Sequence, residues 1–345
     1  MENKNNELEN LTFIKTILMI VIVIYHSMVF FTGNWFNQEP VYESHTIAIM
    51  AKYLNGFHIY AFTLISGYLF YYLRTEKCKY TRFSGVVTIK FKRLIVPYIT
   101  VSILWVIPSF IFYFDTNVLE IVKKYVFGIS PSQLWFLLML FGVYVIAYVA
   151  WKPLTANIIT GGGTVASLII VGLCGSMFLP NVFQIFTACR YVLFFWLGMM
   201  LRKHGMKYLD RIHPLIYLLA YTMIFIIREV CINNAVMGNG IVAKIVEMGI
   251  GIILNIIGAV AAFVILNKLS SRMKKNKLIK ELGKYSFIIY LFHQQLIYCV
   301  IDVFNGILHP VSLVMVSFAF SIALSYFMAC ILCKNKITRV LVGMK

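Results

Sequence analysis

The sequence predicts an all-α polytopic membrane bundle of about ten transmembrane helices with both termini cytoplasmic, and three observations carry that prediction. Hydrophobic residues make up 61% of the 345 positions and charged residues only 13%, with a mean hydropathy of +0.83; soluble globular chains average about 25% charged. Apolar runs long enough to cross a bilayer recur from one end of the chain to the other. Lys and Arg gather in every second connecting segment, as cytoplasmic loops do.

The first span, 11–31, is LTFIKTILMIVIVIYHSMVFF. The stretch before it, MENKNNELEN, is acidic where a signal peptide would be positive, and no small-residue cleavage site follows, so this helix is expected to be retained. The second span, 46–72, runs into the basic segment 73–93, and the third, 94–114, rises from that segment through Pro97-Tyr98. The fourth, 134–151, opens on Gln133-Leu134-Trp135-Phe136. Gly161-Gly162-Gly163 then reads as a flexible cytoplasmic turn, since no Lys-Ser/Thr follows it as a phosphate loop would require. The remaining spans are 164–180, 186–201, 213–229, 247–267, 285–305 and 310–333.

Placing the N-terminus inside puts 25 of the 31 Lys and Arg on the cytoplasmic side and six outside. A miscounted helix would invert every later loop. The longest polar segments, 74–93 and 268–284, are around twenty residues, short of the ~50 that a folded domain needs. Residues 1–345 therefore read as one membrane domain with no separate soluble part. No internal repeat is apparent, which argues against a transporter built from two related halves.

Charge and cysteine usage exclude further classes. The net charge of +18 does not indicate nucleic-acid binding, because the basic residues lie between apolar spans and not on one folded face. Seven cysteines, an odd number scattered mostly through apolar spans, form no disulfide framework. Cys330 and Cys333 have metal-ligand spacing but lack the other two ligands of a zinc site, so no metal is expected.

Chemistry concentrates on a few ionisable residues inside spans. At ~1.5 Å and 100° per residue, the step from Lys15 to His26 is roughly 16 Å along the helix and about 20° around it. Both point the same way. Two titratable side chains on one face of a membrane helix are costly unless that face looks into a bundle or a wet cavity, which makes them a functional site by default. His58 in the second span reads as a satisfied or interface histidine. Ser66-Gly67 reads equally as helix packing. Lys90, Lys92 and Arg93 cluster where the third span begins, as snorkelling anchors or as a binding site for anions. Arg190 near the outer end of the sixth span either meets a sugar or lies at the interface. His293 sits mid-membrane beside Gln294 and Gln295, as a helix-to-helix partner or a cavity residue.

Taken in order, these phrases resemble the acyltransferase-3 family of integral-membrane acyltransferases. The resemblance rests on a basic residue, ten others and His in the first span (Lys15, His26). It continues with SGYLF before a basic loop and with two basic residues three apart ahead of Leu-x-x-Pro (Lys90, Arg93). Leu134-Trp135-Phe136-Leu137 and YSFIIYLFH ending at His293 complete it. Lys15 and Lys90 stand where the family more often has Arg, which keeps the charge but not the bidentate fork.

The resemblance implies an O-acyltransferase of a bacterial plasma membrane, moving an acyl group, acetyl expected, from cytosolic acyl-coenzyme A to a hydroxyl of a cell-surface or lipid-linked polysaccharide. It implies no bound cofactor, with acetyl-coenzyme A as the donor substrate. It implies catalytic roles for His26 and Lys15, with His26 a general base or an acyl carrier. Lys90 and Arg93 would hold the donor's phosphates, and His293 and Arg190 would meet substrate. Relatives with an added extracytoplasmic domain pass the acyl group to a further Ser; a chain of this length is expected to transfer directly. The alternative class is a polysaccharide or lipid-linked sugar flippase. A polymerase would call for a larger outer loop.

Overall fold

The computed structural model describes residues 2–130, 132–205, 209, 211–233, 240–273 and 276–344. Of the basic residues counted above, Lys207, Lys274, Lys275 and Lys345 lie outside the described residues. The chain is 83% helical, and no strand occurs among the described residues. That follows from the apolar composition, because in lipid a backbone must satisfy its own polar groups and the helix does so within one segment.

Helix α1 (Glu2–Met28) carries the first predicted span and tightens into a 3-10 turn at Val29–Thr32. The second predicted span is two helices, α2 (His45–Asn55) and α3 (His58–Thr75), interrupted at Gly56-Phe57. The break has a cause in packing. Tyr221 donates its hydroxyl to the Tyr53 carbonyl at 2.5 Å, and a Cβ on Gly56 would lie 2.4 Å from that hydroxyl.

The third predicted span starts earlier than expected, at Phe83, and continues to Phe114. It consists of α4 (Phe83–Lys90), α5 (Val96–Val101) and α6 (Ile107–Phe114), joined by π-helical turns at Phe91–Ile95 and Ser102–Val106. Pro97 and Pro108 follow these turns. Each lacks the N–H that would bond the carbonyl four residues back, so the ladder widens there.

Short α7 (Val118–Val126) precedes α8 (Trp135–Val149) and α9 (Trp151–Ala156). Gly161-Gly162-Gly163, expected as a flexible turn, lies instead inside α10 (Ile158–Phe178). Trp196 donates to the Leu154 carbonyl at 2.9 Å across Gly161, where a Cβ would come within 2.8 Å of the indole nitrogen. The glycine therefore seats a tryptophan. The chain continues through α11 (Ile185–His204), α12 (Pro214–Asn233), α13 (Ile241–Met273), α14 (Lys277–Phe304), α15 (Pro310–Leu332) and α16 (Lys336–Leu341).

Among the described residues, eight helical stretches are long and apolar enough to cross a membrane: α1, Phe83–Phe114, and α10 to α15. The segments predicted as spans two and four form the shorter α3 and α8. Burial ranks them. The apolar stretch of α14 is 72% buried and that of α1 56%, against 17% for α10 and 11% for α12, so α14 is central and α10 and α12 face outward. α3 and α11 are held at backbone contact by facing glycines. A Cβ on Gly67 would lie 1.9 Å from the Phe195 carbonyl oxygen, and one on Gly198 1.9 Å from that of Leu64.

Polar ties sort the helix ends into two groups. Arg202 at the end of α11 binds Glu7 of α1, Tyr68 of α3 and Glu76 beyond it (2.7 and 2.8 Å), while Lys203 donates to the Thr155 carbonyl at 2.5 Å. This end, which also holds the clustered lysines and arginines of 73–93, is the basic end. At the far end Gln38 donates to Asp302 (2.9 Å), Asn305 to the Glu39 carbonyl (2.9 Å), and Lys52 meets Glu229 (3.5 Å).

Candidate functional site

One turn before the far end of α1, half-buried His26 faces His293 of α14, with Nδ1 of His26 3.1 Å from Nε2 of His293. The neighbouring carbonyls fix where the protons sit. Nδ1 of His293 lies 2.7 Å from the Tyr290 carbonyl, which only accepts, so that nitrogen carries the hydrogen and Nε2 offers its lone pair. Nδ1 of His26 lies 3.0 Å from the Ile22 carbonyl as well as facing that lone pair. Both contacts call for a proton on Nδ1. In the neutral ring the unprotonated atom of His26 is therefore Nε2, and His26 lines a cavity of about 200 Å³ with Tyr25, Trp35, Asn55, Gln133 and Tyr290.

A buried amide network frames this cavity. Gln133 receives the Tyr290 hydroxyl on its carbonyl, bonds the Leu291 carbonyl (2.8 Å) and Gln295 (3.0 Å), and gives its backbone N–H to Gln294 (3.0 Å). Gln294 in turn donates to the Tyr298 hydroxyl at 2.5 Å. Sequence reasoning used the phrase that follows Gln133 for the family resemblance and gave Gln133 itself no role. The available signal was three glutamines in otherwise apolar spans, which need one another for hydrogen bonds.

His58 is wholly buried, and its Nδ1 bonds the Leu54 carbonyl (2.7 Å) across the α2–α3 break. Its Nε2 has no partner, and its ring lies 4.7 Å from that of Tyr25. The expectation of a satisfied histidine holds for one nitrogen only. Ser66 is buried and donates to the Phe62 carbonyl of its own helix (2.9 Å), while Gly67 is the close-packing residue described above.

At the basic end, Lys15 has Arg93 and Lys90 as its charged neighbours. None of the three forms a salt bridge among the described residues. Lys90 is buried with its ammonium 3.7 Å over the Tyr144 ring and 5.3 Å from that of Tyr80, so aromatic faces hold its charge. Arg93 and Lys92 are exposed. The Arg93 carbonyl, left without its α-helical donor by Pro97, abuts Gly343, whose φ of +74° turns the C-terminal segment against it. The structure thus gathers Lys15, Lys90 and Arg93 into one cluster and His26 and His293 into another, joined by one face of α1. His293 contacts His26 and does not itself line the cavity.

Arg190 lies apart from both clusters. It lines a second cavity, of about 430 Å³, with Tyr60, Gln184, Tyr191 and Asn255. Trp135 lines both cavities, so the two adjoin at this residue.

Among protein-family models, one described as an acyltransferase domain, Acyl_transf_3, matches residues 8–330. No curated protein and no solved structure matches the chain.

Proposed function

The chain belongs to the acyltransferase-3 family and is a membrane acyltransferase; from that premise we propose that it carries an acyl group, in the first instance acetyl, from cytosolic acyl-coenzyme A to a hydroxyl of a cell-surface or lipid-linked polysaccharide. One observation carries the reading: His26, with Nε2 unprotonated in the neutral ring, lines a cavity on the same helix face as Lys15, whose neighbours are Lys90 and Arg93, and none of these three cations forms a salt bridge among the described residues.

The basic end is the cytoplasmic one in this reading, the side on which 25 of 31 basic residues fall. The chain then crosses ten times, with α3 and α8 as its short spans, and both termini are cytoplasmic. Lys90, Arg93 and Lys15 hold the pyrophosphate and ribose phosphate of the donor. Its flexible pantetheine arm bridges the roughly 16 Å along α1 to His26.

There His26 Nε2 takes the proton of the acceptor hydroxyl as the oxygen attacks the thioester carbonyl. The C–S bond breaks, the ester C–O bond forms, and the imidazolium returns its proton to the leaving thiolate. His293 accepts from Nδ1–H throughout, fixing the ring's orientation and supporting its positive form. An acyl group carried on the same Nε2 is the second route.

The test compares the surface glycan of cells with and without the gene. Loss of alkali-labile acetate with an unchanged glycan amount supports transfer. A fall in glycan itself with its acetate content per sugar unchanged would instead support a flippase.

A further inference from the structure

We propose that the Arg190 cavity is an acceptor subsite selecting glycans that bear an oxyanion, either a uronate carboxylate or a phosphodiester. The proposal rests on the acyltransferase reading for its acceptor, but its argument is the state of Arg190. The Arg190 Nε is buried and has no hydrogen-bond partner. Its one polar contact, Nη2 to the Thr187 hydroxyl, is 3.4 Å, at the limit of a bond.

The neighbouring Gln184 is already engaged. The side-chain oxygen of Gln184 receives Asn181 (3.0 Å) and Thr187 (3.1 Å), and its amide is spent on the Gly128 carbonyl (3.0 Å). Nor is the charge cancelled. Nearby Arg228 and Lys52 are tied to Glu229 and Glu247 at 3.1, 3.7 and 3.5 Å, whereas Arg190 meets no carboxylate among the described residues. A half-buried guanidinium that lines a cavity and keeps a buried Nε–H unused is matched by a planar or tetrahedral oxyanion that accepts from its fork.

The rest of the cavity fits a sugar carrying that anion. Tyr60 and Tyr191 stack at 5.3 Å and 13°, and Trp135 stands edge-on to Tyr191 at 5.8 Å, giving flat apolar walls for the C–H face of a pyranose. Asn255 lines the same cavity, its amide hydrogen-bonded to Tyr60 and adding a polar edge beside the rings. Gly172 of α10 makes room for the arginine stem, since a Cβ there would lie 2.9 Å from its Cγ. Because Trp135 also lines the His26 cavity, an anionic sugar seated here places a hydroxyl of the same or the adjoining residue toward His26.

The experiment measures equilibrium binding by calorimetry, with the full chain in nanodiscs. The probes are de-esterified fragments of the host cell's own surface glycan, untreated, carboxyl-reduced or dephosphorylated with hydrogen fluoride. One of the two treatments is expected to weaken binding to the native protein about 10-fold or more, as a lost charge-assisted hydrogen bond does, and which one identifies the anion. Arg190→Gln should collapse the charged-to-neutral affinity ratio to near one. Arg190→Lys, which keeps charge without the fork, should retain part of it. Unchanged native affinity after both treatments, or an undiminished ratio in Arg190→Gln, overturns the proposal. Binding needs no acyl donor, so absence of acetyl transfer would count against the acyltransferase chemistry alone.

Discussion

His26 is oriented through one nitrogen: two acceptors, the Ile22 carbonyl and His293 Nε2, compete for its Nδ1–H and leave Nε2 free. His26→Ala is expected to cut glycan acetylation by ~10²-fold or more at equal protein level. His26→Gln should not restore it, since an amide offers no base. His293→Gln keeps an acceptor for Nδ1–H and should retain most activity, whereas His293→Leu should lower kcat about 10-fold with little change in KM. Equal activity in His293→Gln and His293→Leu would remove the positioning role. The basic cluster, as the proposed donor site, gives a different signature. Neutralising Lys90 and Arg93 together should raise the apparent KM for acetyl-coenzyme A more than it lowers kcat, because phosphate contacts persist in ground and transition states alike. Lys15→Arg should keep activity and Lys15→Met lose it, since Met preserves stem length without charge. Unaltered donor kinetics in a correctly inserted double variant would return the cluster to simple membrane anchoring.

At the scale of elements, the α3–α11 pair acts as a rigid wall beside the site, and its closeness depends on two glycines. Gly67→Ala or Gly198→Ala would drive a methyl into an opposing carbonyl 1.9 Å away, so the helices must separate; a loss of about 1–3 kcal/mol is expected. Gly163→Ala, in the glycine run of α10, is the control: nothing lies within 4 Å of its added Cβ, and alanine is the better helix former. Thermal unfolding in detergent, read for all three variants, should show the first two lowered and the third level or raised. A level Gly67→Ala would mean that the two helices are not held at backbone contact. The connection into α11 is the strained counterpart of this wall. Phe183 and Gln184 hold φ of 51° and 58°, locked by bonds to the Phe127 and Gly128 carbonyls, directly beside the Arg190 cavity.

At the scale of the whole molecule, the proposed sidedness can be read from a native reporter. Cys78 is exposed in the basic segment 73–93, so in a variant retaining only that cysteine, a membrane-impermeant maleimide should label it in inverted vesicles and not in intact cells. Labelling from outside would invert the donor side. Much of this architecture was legible in the sequence, because crossing lipid is a requirement on each segment alone: length, apolarity and flanking charge are local, and eight of the ten predicted spans emerge as helices long enough to cross. The family was legible for the same reason, through short phrases such as Lys15 with His26 on one face of one helix.

What failed was whatever depends on a partner far along the chain. Gly161-Gly162-Gly163 looked like a turn until Trp196 supplied a reason for glycine inside a helix, and the second span looked continuous until Tyr221 drew away a carbonyl at its middle. By itself the sequence determined the class and most of the helices, and it singled out Lys15, His26, Lys90, Arg93, Arg190 and His293 as candidates. Only the tertiary structure decided that His293 faces His26, that Gln133 binds α14 beside them, and that Arg190 is left with an unused donor. The physical reason is that insertion is fixed segment by segment, whereas proton position and hydrogen-bond satisfaction belong to pairs of groups, and pairs exist only once helices pack.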